Sequence, residues 1–120
     1  MDINTAEIKK FIDVEAALPR VLGNKALYKQ MLALFLDSTE FEAFESALAA
    51  GDNAEAAAKI HGIKGICGSL SMTALFQTSS QLNEQLKAGS ADPDLLTEYR
   101  AAHVKTRDYV EQIIASSVLG

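Results

Sequence analysis

Apolar residues along this chain recur at three-and-four spacing, and the strand-like alternation of β-branched residues is absent. The pattern predicts helix nearly throughout. Glycines fall where the periodic runs stop, at Gly23, Gly51 and Gly89. Each is followed closely by a good N-cap: Asn24, Asp52, and Asp92 with Pro93 in the first helical position. This punctuation predicts helices over residues 4–11, 14–22, 25–50, 53–70, 72–87 and 93–117. The second starts after Asp13, and Ser71 has the character of an N-cap for the fifth. The long third helix carries an apolar stripe of Leu27, Met31, Leu34, Phe41 and Leu48. The last carries Leu95, Tyr99, Ala102, Thr106, Val110 and Ile113. Four long helices with short connections predict an all-α fold, an antiparallel up-down four-helix bundle with short N-terminal helices capping one end. At 120 residues the expectation is a single domain over 1–120. A domain of this size buries roughly 65% of its unfolded surface, enough for one core.

Charge narrows the partners. Sixteen acidic against 11 basic residues leave a net charge of −5. Nucleic acid and anionic membrane both call for a basic surface, so neither is an expected partner. Cys67 is the one cysteine, which excludes an intrachain disulfide and zinc sites built on several thiolates. The run 1–4 opens no basic or apolar leader, and the apolar run 31–36 is far too short to span a bilayer. A cytoplasmic, reduced, monomeric protein is expected.

The helix over 53–70 has two chemically distinct faces. Ala56, Ile60, Ile63, Cys67 and Leu70 form an apolar stripe. His61, Lys64, Gly65 and Gly68 fall at i, i+3, i+4 and i+7 on the other side. Neutral imidazole has a nitrogen lone pair near pH 7 and can attack phosphorus without a separate base. Lys64, one turn on, can offset the charge of a phosphoryl group. Gly65 and Gly68 leave room for an approaching partner, whereas Gly62 points elsewhere. Three glycines in one helix give up roughly 3 kcal/mol of propensity relative to alanine. No Asp or Glu occurs from Ala56 to Asn83, as expected of a phosphate-handling surface.

Plainer readings stand beside this one. A lone helical histidine is usually a surface residue. The glycines would also permit close helix packing, and the acid-free window would also suit a buried helix pair. His103, between Arg100 and Arg107, reads as a solvated histidine, and Cys67 as a small core residue. Six residues apart, His61 and Cys67 do not share a face and cannot pair on a metal; no metal site is expected.

At these residues the chain resembles the histidine-containing phosphotransfer (HPt) domain family of multistep phosphorelays. The family pattern His-x-Leu/Ile-Lys-Gly is matched by His61, Ile63, Lys64 and Gly65, followed by Cys67, Gly68, Ser69 and Leu70. Leu75 and Leu82 match later leucines. Upstream, Leu18, Val21, Leu22, Gly23, Asn24, Leu27 and Tyr28 are similar to the family's approach to its long helix. The likeness runs over 14–89. It departs at Ile60, where alanine is frequent, at Ser71, where glycine is usual, and at Asn83, where a Glu or Gln often approaches the imidazole. The resemblance implies a phosphocarrier rather than an enzyme. His61 Nε2 would accept a phosphoryl group from a receiver-domain aspartate and return it to another, with Lys64 stabilising charge and Asn83 in a supporting position. It implies no intrinsic cofactor, because Mg²⁺ would belong to the receiver. The implied partners are response-regulator receiver domains or a hybrid sensor histidine kinase. A phosphoacceptor domain of a chemotaxis-type histidine kinase, with its kinase acting in trans, and a helical interaction module without phosphotransfer are the alternatives.

Overall fold

The computed structural model describes residues 6–119. Among these, the helices are α1 (Ala6–Lys9), α2 (Val14–Ala17), α3 (Lys25–Asp37), α4 (Glu40–Ala49), α5 (Asn53–Ser69), α6 (Thr73–Lys87) and α7 (Pro93–Ala115), with a 3₁₀ turn over Leu18–Val21 between α2 and α3. No strand occurs among the described residues. The expected start of the first helix at Asn4 lies outside them.

The capping chemistry is local and matches the sequence. Side chains of Asp13, Asn24, Asp52 and Asp92 accept from the backbone N–H groups of Ala16, Leu27, Glu55 and Asp94. Gly23, Gly51 and Gly89 all take positive φ where helices stop. The predicted stripes of α5 and α7 are buried in full. α5 is the central element, packed mainly against α6 and α4, while α7 packs on α6 and α3. The bundle is elongated, 43 × 24 × 21 Å.

Four expectations need correction. The helix expected over 25–50 is broken. Ser38 is extended (φ −66°, ψ 132°) and its hydroxyl accepts from Glu40 N–H at 3.3 Å, starting a new helix. Glu40 and Glu42 then sit in the first turn of α4, where acids favour a helix N-terminus. Arg107 Nη1 donates to Leu36 O at 3.1 Å, partnering a carbonyl at the break, and Phe35 meets Phe41 edge-on across it at 5.3 Å. The core stripe of α3 is also displaced by one position. Tyr28, Leu32 and Phe35 are buried, whereas Leu27 is 41% and Leu34 69% exposed. Two apolar stripes overlap in this sequence, and packing uses the one that carries the aromatics. Ser71 is no N-cap: it takes φ 57°, and Met72 occupies the cap position. The helix expected over 14–22 tightens at Pro19 into the 3₁₀ turn.

The leading segments close one end of the bundle. Ile8 and Ile12 are buried, Asp13 N–H donates to Ser71 O at 2.9 Å, and Thr73 Oγ1 donates to Lys10 O at 2.7 Å. Tyr28 Oη donates to Leu70 O at 2.9 Å, and burial pushes this phenol well above its usual range. The α5–α6 turn is thus held from two sides.

Candidate functional site

α5 presents its polar face because its apolar face is fully used. Ile60, Ile63 and Cys67 are 0% exposed, and burial pushes the Cys67 thiol up to about 12, so it is an inert core residue. On the other side His61 and Gly65 are exposed, Lys64 is half-buried, and all three line an open groove of about 610 Å³. No hydrogen bond or ion pair engages the His61 ring among the described residues, and Lys64 is likewise without an ion pair there. No carboxylate among the described residues lines this groove. The acid-free window of the sequence is nonetheless not acid-free in space. Glu40 reaches in from α4, 3.8 Å from Lys59 Nζ, and Lys59 also lies 3.7 Å from Glu55. Glu40 belongs to a second groove, of about 770 Å³, which it shares with Gly62 and Leu34.

The glycines separate. A Cβ on Gly65 would meet nothing within 4 Å. A Cβ on Gly68 would lie 3.1 Å from Phe76 Cε1, so the space left by Gly68 is filled by an aromatic ring of α6. Close approach does occur at Gly68, but the approaching group is internal. Gly62 lies beside the Glu40 carboxylate, 3.7 Å from where its Cβ would be.

Asn83 is buried, and its Nδ2 donates to Ala57 O at 3.1 Å. This ties α6 to the turn of α5 just before His61; no hydrogen bond runs from Asn83 to the imidazole. Arg20 lines the His61 groove, and its Nη1 donates to Gly68 O. Nothing in the local sequence signals this contact, since 48 residues separate the two.

His103 is half-buried rather than solvated. Its ring stacks on Phe41 at 4.1 Å and 12°. Burial, reinforced by the Arg107 cation and opposed by Glu45, pushes its pKa down to about 4. It lies on the α4–α7 side and lines no part of the His61 groove. No cluster of three or more His, Cys, Asp or Glu side chains suited to a metal ion occurs among the described residues.

Comparison with protein-family models matches residues 30–116 to the Hpt domain. The chain belongs to the Hpt domain family. The matched span holds α5 with its histidine-lysine face, α6 and all of α7, and leaves out the residues before 30. Comparison with curated proteins and with solved structures returned no match. Hpt domains serve histidine phosphotransfer in two-component signalling, as carriers rather than enzymes, and interact with receiver domains and kinases. The helical bundle of this chain is the fold that such a carrier needs: a rigid core under one open helix face. No helix among the described residues is long and apolar enough to cross a membrane.

Proposed function

We propose that this Hpt domain is the phosphocarrier of a multistep phosphorelay, with His61 as its phosphoacceptor. The observation that carries the reading is an exposed His61 one turn from Lys64, both without a side-chain bond or ion pair among the described residues, in a groove that none of their carboxylates lines. In the forward step the Nε2 lone pair attacks the phosphorus of a receiver aspartyl phosphate. The N–P bond forms, the bond from phosphorus to the carboxylate oxygen breaks, and aspartate leaves as a carboxylate. The ring proton is then released to solvent. Transfer to a second receiver reverses these bonds. Lys64 reduces the repulsion between the phosphoryl oxygens and the incoming carboxylate. Mg²⁺ and the groups that bind it belong to the receiver, and the carrier works as a cytoplasmic monomer. Asn83 supports the histidine indirectly, by fixing the turn on which His61 stands.

The test is uptake of label. Purified chain mixed with phosphorylated receivers and Mg²⁺ should gain an acid-labile, base-stable phosphate, and His61→Gln should gain none. A chain that binds receivers but never takes up label would be an interaction module instead. Label arriving only from an ATP-dependent kinase domain would identify the chemotaxis-type alternative.

A further inference from the structure

The family match begins at residue 30, yet the groove in front of His61 is partly built by residues before it. Arg20 and Val21 both line it. They come from the 3₁₀ turn over Leu18–Val21, which ends at Leu22 in a left-handed conformation, φ 56°. We propose that the turn at 18–22 is the element with which this chain selects its receiver, Arg20 making the charged contact and Leu22 the apolar one. The proposal rests on the phosphocarrier reading, because it takes the receiver as the occupant of the groove.

Three observations support it. The first is access. Whatever delivers a phosphoryl group to His61 must fill the groove in front of it, and Arg20 is a wall of the same groove. Donation from Nη1 to Gly68 O fixes the guanidinium on α5, seven residues beyond His61. That is about 10 Å along the helix, so Arg20 stands clear of the phosphoryl group and meets the body of the partner.

The second is charge. The chain carries a net −5, yet among the described residues this groove has two cations, Arg20 and Lys64, and no acid. Arg20 forms no ion pair among the described residues. A guanidinium has five N–H donors in a planar fork suited to carboxylates. A receiver that holds Mg²⁺ beside its aspartate does so with oxygen ligands, one or two of them carboxylates beside waters and the phosphoryl oxygens. The face that it brings to His61 is therefore anionic, and a cation at the rim steers and orients it.

The third is strain. Leu22 is 96% exposed and has a left-handed backbone that disfavours any residue with a Cβ. Gly23 follows it, also at positive φ, so glycine chemistry was at hand for this turn. A leucine kept there at the cost of strain and exposure is what a contact residue looks like before it is covered.

The experiment uses the full chain and a panel of phosphorylated receivers, with initial transfer rate followed against receiver concentration and salt. Arg20→Gln should raise the half-saturating concentration of the preferred receiver about tenfold, flatten the salt dependence and affect the maximal rate far less. Arg20→Lys should retain most of the salt dependence. Leu22→Ala should raise half-saturation about fivefold with the salt slope unchanged. Both losses should be larger for the preferred receiver than for poor ones, a narrowing that a purely structural role of the turn would not produce. Circular dichroism confirms that the variants fold. If the wild type takes label from receivers and the variants saturate like it at every salt concentration, the turn plays no part in selection. If the wild type takes no label from any receiver, the phosphocarrier reading fails and this proposal falls with it.

Discussion

Gly65→Ala sets stability against access at a single methyl group. Gly65 is in the interior of α5, a helix of 17 residues, and beyond the backbone of its own helix a Cβ there would meet nothing within 4 Å. Nothing opposes the gain in helix propensity, about 1 kcal/mol for alanine over glycine. For a domain of this length that raises Tm by about 4 °C. The new methyl would stand one turn from His61 on the floor of the groove, where a partner must approach. A misfit of about 1–2 kcal/mol there slows transfer by roughly five- to thirtyfold. Urea melts followed by circular dichroism and initial rates of label uptake measure the two sides independently. Gly68→Ala is the internal control. Its Cβ would press on the Phe76 ring at 3.1 Å, so its propensity gain should be largely cancelled as the ring shifts. A Gly65→Ala protein that is more stable and transfers as fast as wild type would refute the claim that this glycine serves access. One that is less stable would refute the geometry itself.

Two further predictions concern stability. Ser71 is buried at φ 57° and its hydroxyl has no hydrogen-bond partner among the described residues. Ser71→Gly removes the left-handed strain and the unpartnered hydroxyl, against the greater freedom of glycine in the unfolded chain, and should stabilise by about 1 kcal/mol; a loss of similar size in urea melts would contradict this. His103 should give the fold a pH dependence. Its pKa falls to about 4 in the fold, against about 6.5 unfolded. The unfolded chain therefore binds the proton first. The stabilisation is complete above about pH 6.5 and is lost as pH falls from there through 4. The full shift would amount to about 3 kcal/mol, and partial solvent screening reduces this to about 1–2 kcal/mol. His103→Phe keeps the stacking on Phe41 without titrating, so its urea midpoint should drop less than that of wild type between pH 7.5 and 5. Equal drops would show that His103 is not the source.

Much of this protein is decided within short stretches of chain. The caps Asp13, Asn24, Asp52 and Asp92 each accept from a backbone N–H two or three residues on, and each helix-stop glycine needs only its own φ, so Asn24, Asp52, Asp92 and the three turn glycines were legible in the sequence. The two faces of α5 follow from 3.6-residue periodicity alone, and the core motif of the family likeness lies in that same short run. The glycine usual at position 71 has a local reason too: the position is left-handed, where glycine is at ease and serine is not.

What the sequence left open depends on partners far away in the chain. Two apolar stripes on α3 have nearly the same period, and only packing decides that Tyr28, Leu32 and Phe35 go in while Leu27 and Leu34 stay out. The break at Ser38 holds because the Ser38 hydroxyl, accepting from Glu40 N–H, and Arg107, donating to Leu36 O, replace the bond that a continuous helix would have made internally. His103 sits between two arginines in sequence but against Phe41 in space. Arg20, Phe76 and Glu40 reach α5 from three other elements, and no local pattern signals such contacts. The nucleophile and its neighbouring cation were thus set by spacing along one helix. The shape and charge of the groove around them were set by which side chains the fold brings to its walls.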